Sequence, residues 1–227
     1  MHRHFVVTAV VALGLLATLA GCSQKNSESA PATAGTPVAA QIGLGQLSGH
    51  TYTHDHFKLA VTLPEQWYIQ SKTEADQLRQ AGSTLMKQDA NGQAIVQAAQ
   101  QRTLTLLSSF RHPPGTPVPF NESLMILAEN VAFLPGLKLG EDYLKLAQRS
   151  MGSMTLKHEF EPIQPGLKIG SHQAARLKTR LVAQDNAISQ EYYAARVGDY
   201  FLVVILTYGD DAQRDALHVI LDSLKAG

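Results

Sequence analysis

The sequence predicts an α+β fold: a mostly antiparallel sheet flanked by helices. Three observations carry this. Apolar residues alternate in short runs, first at Phe57, Leu59, Val61 and Leu63 and again over 102–110, the period of a half-buried strand. The run YFLVVILTY at 200–208 is apolar throughout, as a central strand covered on both faces must be. Behind Asp210 and Asp211, Leu217, Ile220, Leu221 and Leu224 fall at i, i+3, i+4 and i+7, the stripe of a capped amphipathic helix.

The other elements follow in chain order. Pro64 ends the first strand, since proline has no ladder donor. Ser71-Lys72-Thr73-Glu74 is a capping box opening a helix whose face is Leu78, Ala81, Leu85 and Met86. Asn91-Gly92 interrupts it, and a second helical piece is expected up to about residue 100. HPPGTPVP at 112–119 must be a loop. The stretch 124–133 is apolar on both faces and reads as an interior strand; 142–151 reads as a helix. Short strands are expected over 156–160, 172–182 and 189–197, with Gly198-Asp199 as a tight turn into 200–208.

The N-terminus has a different character. Arg3 with His2 and His4 is basic, 5–20 is apolar, and Leu19-Ala20-Gly21-Cys22 follows. A basic start, an apolar core and small residues at a cut site describe a secretory signal, and the apolar run is short for a membrane span. The last four residues resemble the bacterial lipobox, which implies cleavage before Cys22 and lipid on its sulfur. Ser23 follows the cysteine, which by the same resemblance implies the outer membrane, facing the periplasm. Cys22 is the only cysteine, so no disulfide or thiolate cluster is available to the rest of the chain. Residues 23–49 are rich in Ala, Ser, Gly, Pro and Gln and cannot bury a core, the composition of a flexible tether. The expected organisation is a signal peptide at 1–21, a tether at 22–50 and one domain at 51–227.

YTHDHFKLAVTLPEQW at 52–67 resembles the opening hairpin of PsbP/Mog1-like domains, and YYAARVGDYFLVVILTYGDDAQRDALHVILDSLK at 192–225 is similar to their closing strands and helix. The resemblance implies an antiparallel sheet between helices, an α/β/α sandwich, and an accessory, assembly or binding role. It carries over no catalytic residue. The expected function is therefore a lipid-anchored, non-enzymatic envelope protein that binds another envelope protein, with no cofactor. The chain has 19 Lys and Arg against 19 Asp and Glu, and without a strongly basic domain nothing points to nucleic acid.

Several residue groups could carry chemistry. His50, His54 and His56 have the alternation of a Zn or Cu site on one strand, the basis of a metal- or ligand-carrier alternative. Against it, the apolar strand residues are odd-numbered, which aims His56 at solvent, and 54–56 falls where a turn belongs. Arg176, Lys178 and Arg180 share one strand face, and Tyr192, Ala194 and Arg196 share a face of the next. A hairpin centred on 185–187 would set Arg180 opposite Tyr192 and Arg176 opposite Arg196, a basic patch for an anionic partner. The alternative is a solvated face, or one neutralised by Glu159 and Glu191. His158 reads as a half-buried, hydrogen-bonded histidine and His218 as a surface residue. No G-x-S-x-G, H-E-x-x-H or P-loop occurs, which leaves a cell-wall or lipid hydrolase as the weaker alternative.

Overall fold

The computed structural model describes residues 42–83, 101–152, 157–183 and 186–227. The expected helix face at Leu85 and Met86, and the second helical piece, lie outside them. The described chain is α+β, two antiparallel sheets flanked by three helices. The small sheet is β1 (Gln46–Ser48), β2 (Thr51–His54) and β3 (Leu59–Thr62), in that order. The large sheet runs β4 (Tyr68–Ile69), β5 (Thr103–Phe110), β6 (Ser123–Asn130), β11 (Tyr200–Tyr208), β10 (Asn186–Val197), β9 (His172–Ala183) and β7 (Lys157–Phe160); β8 (Gln164–Ile169) shares the outer edge of β9 with β7. The helices are α1 (Lys72–Ser83), α2 (Gly140–Gly152) and α3 (Asp211–Ser223).

Every residue of β11 is buried, so both faces of the large sheet are covered. Leu202, Val204 and Leu206 join Phe57, Leu59, Val61, Leu217 and Ile220 in a core beneath the small sheet and α3. Phe201, Val203 and Ile205 join Tyr143, Leu144, Ala147 and Met151 in a second core beneath α2. The period-two alternation of β11 thus divides one strand between two cores.

Local signals explain the boundaries. Ser71 and Glu74 form the expected capping box: the Ser71 backbone N–H donates to Glu74 Oε2 at 2.8 Å, and the Glu74 N–H donates to Ser71 Oγ at 3.3 Å. Asp210 caps α3, accepting from the Gln213 N–H at 2.8 Å. Two expectations are corrected. The interior strand ends at Asn130 rather than Phe133, because the Asn130 side chain accepts from the Ala132 N–H at 3.1 Å and so turns the chain. The ordered fold also begins before residue 51. Gln46–Ser48 pairs with β2, Ile42 packs on the first core, and Tyr52 Oη donates to the Leu44 carbonyl at 2.8 Å.

Helix α2 sits close to the sheet because its first residue is glycine. A Cβ on Gly140 would lie 2.1 Å from the Ala194 carbonyl oxygen and 2.9 Å from the Ala175 nitrogen. Neither backbone atom can move aside as a flexible side chain could. Gly140→Ala should therefore destabilise the fold by roughly 2–3 kcal/mol, read as a lower midpoint in chemical denaturation.

Candidate functional site

The face of the large sheet beneath α3 changes character along its length. Near the 198–199 turn it is apolar, with Ala174, Tyr193, Ala195 and Leu202. Toward the start of α3 it becomes charged. Glu191 lies there in the middle of β10, fully buried. Tyr193 Oη donates to its Oε2 at 2.6 Å and Tyr208 Oη to its Oε1 at 3.0 Å. The Arg176 guanidinium and the Lys178 ammonium each stand 3.6 Å from it, and His218 Nε2 is 3.0 Å away. Five side chains from four elements thus converge on one carboxylate.

The position follows from register. Glu191 is opposite Lys178, with Tyr193 opposite Arg176 and Ser189 opposite Arg180. Alternate residues of β9 and β10 therefore bring the cations, the carboxylate and Tyr193 to one face, while β11 adds Tyr208 and α3 adds His218. Burial raises the Glu191 carboxyl pKa. The hydrogen bonds from Tyr193 and Tyr208, with the imidazole of His218 and the ammonium of Lys178, outweigh it and leave the pKa below its ordinary value. Burial, with Glu191 alongside, pushes the Tyr193 and Tyr208 phenols well up.

Next to this cluster is a cleft of about 340 Å³, lined in part by Glu159, Lys178, Arg180, Ser189, Tyr208 and Arg214. Glu191 holds Lys178 and Tyr208 in place on its wall. Arg214 pairs with Asp211 and Asp215, each at 2.8 Å. Arg180 is exposed and, among the described residues, makes no ion pair. The arrangement presents one open guanidinium, Arg180, among the hydroxyls of Thr179 and Ser189 and the carboxylates of Glu159, Glu161 and Asp211, and the guanidinium is the group that can fork onto an acceptor-rich partner.

The cationic strand and its neighbour do not meet as the sequence suggested. Arg176, Lys178 and Arg180 do share a face, and Glu191 neutralises two of them. Tyr192 and Arg196 lie on the opposite side of the sheet. Tyr192 is buried in the α2 core and donates to Gln190 Oε1 at 2.8 Å. Arg196 donates to the Gly198 carbonyl at 3.0 Å and to that of Leu137. The cause is the loop: Ala183 pairs with Asn186, leaving a two-residue connection at 184–185 where three were expected. The pairing therefore slips by an odd number of residues, which reverses which side chains share a face.

The histidines are also dispersed. His50 is in the turn before β2, while His54 is at that strand's far end and His56 beyond it. His54 is buried rather than in a solvated turn, 5.0 Å from the Phe57 ring, with Nε2 donating to the Gly43 carbonyl at 3.4 Å. His56 is exposed and meets the rings of Phe57 and Tyr200 edge-on. Among the described residues no three His, Cys, Asp or Glu side chains gather as a metal ion requires. His158 is half-buried, 3.4 Å from Thr179 Oγ1 and stacked on Phe160. His218, expected at the surface, is instead part of the Glu191 cluster. Its place one residue after Leu217 was the available signal, but only the crossing of α3 over β10 reveals its partner.

A second buried carboxylate lies on the other face. Tyr143 of α2 donates to Glu129 Oε2 at 2.7 Å and stacks on Phe201 at 4.6 Å. Burial, then the adjacent carboxylate, raises the Tyr143 phenol far above its usual value. The pair pins α2 to the sheet.

No family model matches the chain, and no curated protein matches it significantly. Solved structures it is similar to include cyanobacterial PsbP from Synechocystis, with 11% identity over 81% of this chain and 99% of that one and a TM-score of 0.48. LpqN of Mycobacterium tuberculosis, described as involved in cell envelope biogenesis, shares 12% identity over 84% of this chain and 97% of its own, with a TM-score of 0.41. The yeast Ran-binding protein Mog1p shares 10% identity over 73% and 86%, with a TM-score of 0.38. Among the described residues no helix is long and apolar enough to cross a membrane.

Two outcomes are expected from this geometry. Glu191→Ala strands two half-buried cations and two phenols, and should cost roughly 2–3 kcal/mol, the cations' partial exposure keeping it near the low end for a broken buried pair; denaturant midpoints measure it. Acid should act in two stages. Burial lowers the pKa of His54 and of His158, so the unfolded chain takes up those protons first and stability falls as pH drops below about 6.5. Glu191, whose folded pKa is lowered, stabilises the fold above about 4.5 and loses that contribution as pH falls through its folded value. Thermal midpoints against pH should show both stages, the first abolished in a His54→Phe/His158→Phe variant and the second in Glu191→Ala.

Proposed function

We propose that the chain is a lipid-anchored, non-enzymatic accessory protein of a bacterial envelope. Residues 1–21 are its signal peptide, Cys22 carries the lipid, and a PsbP/Mog1-like domain at the end of a tether binds an acidic segment of another envelope protein. The observation that carries this reading is the placement of the cleft. The tether joins the domain at 42–45, beside the turn between β2 and β3, where His54 reaches Gly43. The cleft is at the opposite end of the large sheet, beside the last residue of β11 and the first turn of α3. An anchored domain would hold its open Arg180 away from the lipid. The basic start, the apolar run and Leu19-Ala20-Gly21-Cys22 support the anchor. The orientation fits an outer-membrane protein facing the periplasm. Among the described residues His50, His54 and His56 are dispersed, which favours this reading over a metal carrier built on them.

The test has two arms. Labelled fatty acid should enter the wild-type chain and not Cys22→Ser, with the variant moving to the soluble fraction. A photo-crosslinker at Ser189, on the cleft wall opposite Arg180 in register, should capture one discrete envelope protein in cells, and the same crosslinker at Val219 should not. Capture through Ser189 should be lost in Lys178→Glu/Arg180→Glu. Equal labelling of Cys22→Ser, or the same products from positions 189 and 219, would refute the reading.

A further inference from the structure

Of the five exposed large apolar side chains among the described residues, four are Leu44, Leu47, Phe133 and Leu139. Leu44 and Leu47 flank the point where the tether joins the fold. Phe133 and Leu139 belong to the loop between β6 and α2, far away in sequence. Contacts bring the two groups to the same end of the domain. The Val131 N–H donates to the Asp199 carbonyl at 2.8 Å, and Arg196 joins the Gly198 and Leu137 carbonyls. Tyr200, next to that turn, meets the ring of His56 at 5.3 Å. His54, two residues earlier, reaches the Gly43 carbonyl. Loop 131–139, the 198–199 turn, the β2–β3 turn and the tether junction therefore share one end.

That end has the chemistry of an interfacial contact. Isolated exposed apolar residues are ordinary, but a cluster of them marks a binding surface. Exposed Lys58, Lys138 and Lys225 and the half-buried Arg102 lie there, with exposed Asp55 and Asp199 and the half-buried Glu141 and Asp142 as the opposing charges; Glu141 is paired with Lys145, and Asp142 caps the Lys138 and Leu139 N–H groups. The Arg102 guanidinium lies 3.8 Å over the Phe133 ring, holding the ring outward beside a positive charge. Pro135 and Gly136 leave the tip of the loop without bulky polar side chains.

We infer that this end, through Phe133, Leu139 and Leu44 with Lys58 and Lys138, rests on the anionic lipid surface to which the chain is anchored. The inference depends on the anchored reading above. The length of the tether argues for a lipid occupant. Only the residues between Cys22 and Ile42 separate lipid from domain, and a coil of their composition spans roughly 25 Å, less than the roughly 40 Å across a compact domain of this length. A short tether joined at the apolar end holds that end nearest the bilayer. The contact would fix the orientation of the domain and aim the cleft outward.

The experiment uses the full chain reconstituted into vesicles of phosphatidylcholine and phosphatidylglycerol with brominated acyl chains. Tryptophan is introduced at the loop (Phe133→Trp) or at the far end (Val118→Trp), with buried Trp67 as the constant background in both. Flotation reports anchoring, and bromine quenching reports contact of the loop with lipid. The expected result is that both variants float and that Phe133→Trp alone loses its added emission. Replacing Lys58 and Lys138 with Glu should then restore much of that emission. Flotation with equal quenching of both variants, or with none, overturns the inference and leaves the anchor standing. Failure to float overturns the anchor and this contact together.

Discussion

The constraint on which the rest of the molecule depends is the burial of β11 on both faces. A strand of nine buried residues in the middle of a sheet cannot leave either face to water, because each side chain exposed would forfeit about 1.5–3 kcal/mol of burial. One face takes the small sheet and α3, and the other takes α2. Both neighbours, β6 and β10, pair antiparallel with β11, so its alternation is passed on to them residue by residue. The two cores are consequences of that single strand.

The same alternation makes the polar cluster possible. Glu191 pairs across from Leu206 on one side and Lys178 on the other, which puts a carboxylate in the middle of a buried face. Such a group is tolerable only if its charge is balanced and its oxygens are hydrogen-bonded. Arg176 and Lys178 supply the charge, and Tyr193 and Tyr208 supply the donors. The cluster therefore works as a floor, fixing the side chains that line the cleft beside it, while Arg180 remains outside its demands. On the opposite face Tyr143 and Glu129 do the corresponding work for α2.

Much of the architecture was legible because it rests on local rules. The capping box at Ser71, the cap at Asp210, the α3 stripe and the apolar β11 each follow from a few adjacent residues. What was not legible rests on contacts between distant segments. Strand β1 looked like tether because Gln46-Leu47-Ser48 has no pattern of its own; it is a strand only because β2 offers it an edge. Strand β8, with Pro165 and Gly166 inside it, likewise owes its pairing to β9. The end of β6 at Asn130 could have been read, since asparagine often turns a chain, but the apolar residues beyond it concealed the stop.

The candidate site shows the same division. The residue types at 176, 178, 180 and 191 were enough to establish that cations would share a strand face and that a nearby acid could neutralise them, because alternation along one strand is a local property. Which residues of β10 face those cations is not local. It depends on the length of a single turn, and one odd step exchanges Tyr192 and Arg196 for Glu191 and Tyr193. The turn length, the crossing of α3 that delivers His218, and the end of the domain at which the tether joins were all decided in three dimensions, because each depends on packing between segments far apart in the chain.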